Sequence, residues 1–251
     1  MAFPTDLSVR FGAPDPPIGT VLKSGSPEIA EALGFTPLDF LLVDRQHASP
    51  SLETVTALVR AAALRDLPAI VRLPQASLGV ATNVLDAGAS GVMLPRTDAV
   101  DAVERALGEV RYRAGRSHSS VTRAGGYGAR EPDLAAVDDS LLLIPQIESE
   151  RGLENAESIA GHEEVDAVAV GPNDLSISLG VDRGSEAFEA AVDRVVAAGE
   201  AAGCPVGTFV GAPGDLDGVR DRAGFVVCGS DVGLLRAVFE SVGSEPTDGP
   251  P

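Results

Sequence analysis

Tryptophan is absent from this chain, and lysine occurs once, at position 23. Aromatic residues make up only 4% of it, so a core must be assembled from valine, leucine, isoleucine and alanine. Cysteine is scarce as well. Cys204 and Cys228 both adjoin apolar runs, where buried free thiols are expected rather than a disulfide. No run approaches the roughly 18 apolar residues of a membrane span, and the segment from Met1 to Gly12 has no apolar leader. These absences lead to the expectation of a cytoplasmic protein.

One lysine and eighteen arginines stand against 37 acids, for a net charge of −18 over 251 residues. So acidic a surface repels phosphate backbones and anionic lipid, so neither nucleic acid nor a membrane is expected as a partner. It resembles halophilic surfaces, where molar salt shortens the Debye length to about 3 Å and screens self-repulsion. The polar, Pro/Gly-rich end from Ser241 to Pro251 is expected to be a flexible tail. Residues 1–240 then form one domain.

Short β-rich apolar runs alternate with helical patterns throughout. Strands are expected at Ile18–Leu22, Phe40–Asp44, Ala69–Leu73, Gly91–Pro95, Leu141–Glu148, Asp166–Val170, Pro205–Val210 and Phe225–Cys228. Ser26-Pro27 and Ser49-Pro50 each read as an N-cap with proline at the first helical position. Leu52, Val55, Leu58, Val59 and Ala62 share one helical face, as do Val100, Val103, Leu107 and Val110. Gly34, Gly88, Gly161 and Gly203 follow helical patterns, where a terminating glycine is expected. Eight βα units in this length predict a single (β/α)8 TIM barrel; a doubly wound open sheet is the rival. The stretch Arg113 to Asp138 has no apolar periodicity and is too long for an ordinary barrel loop, which marks it as functional or partly mobile.

In a barrel, chemistry collects at the carboxyl ends of the strands. Those ends carry Lys23, Asp44 with His47, Arg72, Arg96, Gln146 with Glu148, Asp174, Thr208 and Ser230. Glu148 and Asp174 close neighbouring strands, a ready site for a hard cation such as Mg²⁺ or Mn²⁺. His47, three residues after Asp44, reads as an Asp-oriented imidazole suited to proton transfer. Arg72 would bind an oxyanion or stabilise an enolate, or equally lock the barrel through an ion pair. Lys23 would be a Schiff-base nucleophile, a surface group or a partner for a substrate carboxylate.

These residues carry a resemblance. Phe40-Leu-Leu-Val-Asp44-Arg-Gln-His47-Ala48 looks like the "LLxDxEHA" segment of the HpcH/HpaI aldolase family, metal-dependent class II pyruvate aldolases typified by 4-hydroxy-2-oxoheptanedioate aldolase. Val71-Arg72-Leu73-Pro74, Leu85-Asp86-Ala87-Gly88-Ala89, Gln146-Ile147-Glu148-Ser149 and Gly171-Pro172-Asn173-Asp174-Leu175-Ser176 follow in the family's order. The likeness runs from about Ile18 to Phe239.

The resemblance implies reversible cleavage of a 4-hydroxy-2-oxo acid or 2-keto-3-deoxy acid to pyruvate and an aldehyde. Glu148 and Asp174 would hold Mg²⁺, Mn²⁺ or Co²⁺. His47, held by Asp44, would be the base or relay, and Arg72 would bind the keto oxygen. Gln146 would line the site, and backbone N–H groups around Asn173 and Asp174 would receive the pyruvate carboxylate. The family implies a homo-oligomer, a hexamer built as a trimer of dimers, in which Asp86 would reach a neighbour's histidine. A citramalyl-CoA or malyl-CoA type lyase, a class I mechanism through Lys23, and a silent keto-acid or metal binding homologue are the alternative readings.

The chain departs from the family's pattern at several positions. Gln46 stands where the family has glutamate, and Arg45 where a small residue is common. Val21 replaces a tryptophan. The "RYPPxGxRG" segment survives only as Arg111-Tyr112-Arg113-Ala114-Gly115, with Arg123-Ala124-Gly125-Gly126 further on. That loop is expected near the aldehyde side.

Overall fold

The computed structural model describes residues 7–75, 78–129 and 131–240. The expected tail from Ser241 lies outside the described residues. Eight parallel strands close into a barrel in sequence order. They are β1 (Ile18–Leu22), β2 (Phe40–Asp44), β3 (Ala69–Arg72), β4 (Gly91–Leu94), β5 (Leu142–Ile147), β6 (Val168–Val170), β7 (Val206–Val210) and β8 (Phe225–Ser230). Each expected strand is present within one or two residues, and the closed barrel replaces the open-sheet rival. Around it run α1 (Leu7–Arg10), α2 (Pro27–Leu33), α3 (Leu52–Ala63), α4 (Val80–Asp86), α5 (Val100–Val110), α6 (Leu134–Ser140), α7 (Glu150–Glu154), α8 (Ala156–Ala160), α9 (Pro172–Leu179), α10 (Glu186–Ala202) and α11 (Asp231–Glu240).

Strand periodicity explains how a chain poor in aromatics fills a barrel. Alternate residues point inward: Val21, Phe40, Leu42, Ile70, Met93, Leu142, Ile144, Ala169, Phe225 and Val227 form one buried cluster. Their neighbours, Leu41, Val43, Val71, Val92, Leu94 and Leu143, face the helices in another. Three phenylalanines plug the amino-terminal end, with Phe11 stacked on Phe225 at 4.4 Å and Phe40 at 6.3 Å from Phe225. Gly207 makes room for them, because a Cβ there would lie 2.2 Å from the Phe225 ring.

The helices start and stop where local chemistry allows. Ser26 Oγ accepts from Ile29 N with Pro27 at the first position, as expected. α3 begins later than Ser49-Pro50 suggested. Its cap is Ser51, which accepts from Thr54 N, while the Pro50 carbonyl is taken by Arg45 Nε inside the preceding loop. Of the four terminating glycines, Gly88 and Gly203 are left-handed (φ +98° and +69°). Gly34 and Gly161 stay right-handed and only close the last turn. On α3, Val55, Leu58, Val59 and Ala62 are buried, but Leu52 is exposed. Cys204 and Cys228 are buried and free. No helix among the described residues is long and apolar enough to cross a membrane.

The described residues of the irregular stretch after α5 hold more regular structure than its composition suggested. It contains 3-10 turns at Tyr112–Ala114 and Gly126–Gly128, and α6 occupies its end. Because it joins the end of α5 to the start of β5, it lies at the amino-terminal face of its own barrel, opposite the strands' carboxyl ends. There Arg116 binds Asp86 at 2.6 Å, Arg123 donates to the Ala87 carbonyl, and Arg60 donates to the Tyr127 hydroxyl. Arg111, fully buried, donates to the carbonyls of Asp138 and Leu141 and pairs with Asp166 at 2.6 Å. The loop therefore does not reach the cavity of the chain that carries it.

Candidate active site

The inward alternation continues past the apolar residues and delivers the chemistry. On β2 the series Phe40, Leu42 ends in Asp44; on β3, Ile70 is followed by Arg72; on β5, Leu142 and Ile144 are followed by Gln146 and Glu148. The ladder sets Asp44 beside Arg72, and Ile147 beside Val170, so that Glu148 meets Gly171 at the next step. A cavity of about 440 Å³ opens over these ends, lined by Val21, Lys23, His47, Arg72, Gln146 and Asp174 among others.

Asp44 is fully buried and forms a two-point bond with Arg72: Nε to Oδ1 at 3.1 Å and Nη2 to Oδ2 at 2.9 Å. Lys23 Nζ stands 3.7 Å from Oδ2. Burial works to raise the Asp44 carboxyl. The Arg72 guanidinium and the backbone N–H groups of His47 and Gln46 outweigh it and hold the group below its ordinary range. Its Oδ1 accepts from the backbone N–H groups of Gln46 at 2.9 Å and His47 at 3.2 Å, as well as from Arg72. It shapes the His47 turn and locks Arg72. The exposed His47 still lines the cavity.

Glu148 is 2% exposed. Its Oε1 accepts from Arg96 N at 2.8 Å, while Oε2 is buried without a partner. Burial pushes its carboxyl up, the charge of Asp174 adds to the push, and the Arg96 N–H and Arg72 charge oppose it. Arg96 makes that contact from a left-handed backbone (φ +47°), a conformation costing a non-glycine residue about 1–2 kcal/mol. Such strain, spent on aiming one N–H at one carboxylate oxygen, marks a site rather than a scaffold. Gly171 completes the arrangement, since a Cβ there would sit 2.5 Å from Glu148 Oε2 and 2.6 Å from Gln146 Nε2. Helix α9 then opens at Pro172 and sets Asp174 in its first turn, where the N–H groups of Asn173 and Asp174 lack intrahelical acceptors.

The residues present suit a divalent cation. Two carboxylates stand beyond the ends of neighbouring strands, one carries a buried oxygen with no donor, and the charge of Asp174 pushes the Glu148 carboxyl up. Among the described residues no three or more His, Cys, Asp or Glu are placed to hold a metal ion together, so any cation would take its remaining ligands from water or substrate.

Several expected residues stand elsewhere. Arg96 contributes its backbone only, its side chain lining a separate cavity with Arg105 and Arg151. Thr208 does not line the site, whereas Ser230 does. Asp86 ends α4 at the opposite face, bound to Arg116, and takes no part in this chain's own cavity. Asn173 is exposed, and its Oδ1 accepts from Arg183 at 2.8 Å. Arg183 and Arg236 also line the cavity. Neither was singled out from the sequence, since Arg183 lies in a polar loop and Arg236 pairs with Glu240 four residues on, like any surface helix pair.

Comparison with known proteins identifies the chain's relatives. The profile of the family described as "HpcH/HpaI aldolase/citrate lyase" matches residues 18–237. The chain is 35% identical to the hydroxypyruvate/pyruvate aldolase of Paraburkholderia phytofirmans over 96% of its own length and 97% of that protein's. It is 32% identical to the 2-keto-3-deoxy-L-rhamnonate aldolase of Escherichia coli over 74% of this chain and 73% of the relative. A crystal structure of an HpcH/HpaI aldolase/citrate lyase family protein from Burkholderia cenocepacia superposes with a TM-score of 0.87 at 32% identity, covering 94% of this chain and 97% of the other. This chain belongs to the HpcH/HpaI aldolase/citrate lyase family.

Proposed function

We propose that the protein is a class II aldolase, a carbon–carbon lyase that cleaves a 4-hydroxy-2-oxo or 2-keto-3-deoxy acid to pyruvate and an aldehyde, reversibly. The observation that carries this reading is the pair of carboxylates, Glu148 and Asp174, beyond neighbouring strand ends, with the locked Arg72 in the same cavity wall as Asp174. Full-length relatives named as aldolases support it. A divalent cation, Mg²⁺, Mn²⁺ or Co²⁺, would be held by Glu148 and Asp174 and would supply Lewis acidity there.

The chain's own groups divide the remaining work. First-turn N–H groups of Asn173 and Asp174 receive the substrate carboxylate. Arg72 directs its guanidinium at the keto oxygen, and because Asp44 fixes it, little reorganisation is needed as charge develops there. His47 takes the proton from the C4 hydroxyl. The C4–O bond becomes a carbonyl, the C3–C4 bond breaks, and its electron pair becomes the enolate; the proton then returns to C3. Gln146 closes the floor. The cations around the mouth (Lys23, Arg183 and Arg236) give a net acidic protein a locally positive entrance for an anionic acid.

The protein would work in the cytoplasm as a homo-oligomer, a hexamer by resemblance, with Asp86 serving a neighbour's site. The test is aldol cleavage with the cation removed and restored. Activity should vanish in EDTA and return with Mn²⁺, and borohydride with pyruvate should trap nothing on Lys23, which is engaged by Asp44. Activity that persists in EDTA together with a trapped lysine would reverse the assignment to class I.

A further inference from the structure

Besides the Ser24 hydroxyl, three buried side-chain oxygens at the carboxyl end of the barrel have no hydrogen-bond partner: Gln46 Oε1, Gln146 Oε1 and Glu148 Oε2. All three are acceptors, and they share one neighbourhood. Gln146 and Glu148 meet at the bare backbone of Gly171. The Gln46 side chain lies close enough to the Glu148 carboxylate to stabilise its charge. Its backbone is fixed by Asp44, whose Oδ1 accepts the Gln46 N–H at 2.9 Å. A buried acceptor without a donor forfeits the hydrogen bonds it made to water, and acceptors cannot satisfy one another. A cluster of them needs a cation, or water whose hydrogens point outward.

We propose that Gln46 is a positioning residue of the cation site, its amide N–H steadying Glu148 while its Oε1 accepts from a water that completes the cation's shell. The inference rests on the cation site proposed above. It gives the amide, which stands where the family has glutamate, a defined consequence. The donor set keeps two negative charges, on Glu148 and Asp174, where a glutamate at 46 would add a third. The chain therefore holds its cation more weakly than its own Gln46→Glu variant, and more tightly than a variant with no acceptor there. Outer groups of this kind are typically worth about 10–100-fold in metal affinity.

Mn²⁺ titration of the full chain tests this without any turnover. Free Mn²⁺ is read by its electron paramagnetic resonance signal, and water in the cation's shell by proton relaxation. In Gln46→Ala the dissociation constant is expected to rise at least tenfold, with a changed relaxation enhancement. In Gln46→Glu it is expected to fall. Opposite displacements from two substitutions at one position are not produced by a general loss of structure, which only weakens binding. Wild-type affinity in both variants overturns the role of Gln46 and leaves the cation site standing. Absence of Mn²⁺ binding by the wild type overturns the cation site and Gln46's role together.

Discussion

At the scale of the residue, the site consists of carboxylates in two opposed environments. Asp44 is held below its ordinary range, so its stabilising contribution is present above its unfolded value of about 3.9 and is lost as pH falls through the lower folded value. Asp44→Asn leaves the buried Arg72 without its counter-ion. It is expected to cost about 3–5 kcal/mol, measured by urea unfolding at neutral pH, with a smaller loss at low pH. Glu148 is the reverse case. Its folded value is raised, so it favours folding below its unfolded value, and that contribution is lost as pH rises through the folded one. At neutral pH the cation-free fold therefore carries Glu148 at a cost. Glu148→Gln is expected to raise the melting temperature of cation-free protein while abolishing Mn²⁺ binding. A variant that melts lower and still binds Mn²⁺ would remove Glu148 from the site.

The identities of these residues were legible in the sequence because each follows an apolar run. Their pairings were not. The Asp44–Arg72 lock depends on β2–β3 register, which no one-dimensional spacing encodes. Arg183 and Arg236 stayed hidden because a loop arginine and a surface helix pair look alike whether or not a cavity lies beneath them.

At the scale of the element, the strands were readable because their composition is apolar on both faces, and the same period-two alternation that packs the core aims Asp44, Arg72, Gln146 and Glu148 inward. Cap positions were less legible, since Ser49-Pro50 and Ser51 both satisfy the composition rule and only the Arg45 contact decides between them. Ser51→Ala should cost about 1 kcal/mol in unfolding free energy, while Ser49→Ala leaves it within measurement error. Gly207→Ala drives a methyl into Phe225 and should destabilise by about 1–3 kcal/mol, despite improving strand propensity.

At the scale of the molecule, composition carried the charge and the pattern carried the barrel, while the long loop after α5 stands away from the cavity of its own chain. Its residues resemble a functional loop, yet chain connectivity puts it at the barrel's amino-terminal face, where Arg116 and Arg123 bind it to the end of α4. Any reach into an active site must be into another copy's. A net charge of −18 predicts that the melting temperature rises steadily between 0.1 and 2 M KCl, checked by calorimetry; a flat profile would separate this acidity from salt adaptation.

The central claim is that this barrel makes a pyruvate enolate with a cation held by Glu148 and Asp174, and exchange into the pyruvate methyl group tests it most directly. Pyruvate would be incubated with the protein and Mn²⁺ in buffered D₂O, the cation removed, and the methyl proton signal followed. The account predicts deuterium uptake that requires the cation, disappears in EDTA and in Asp174→Asn, and weakens in His47→Ala. Folded, Mn²⁺-loaded protein that leaves the methyl protons in place would contradict it and point to a silent binding homologue.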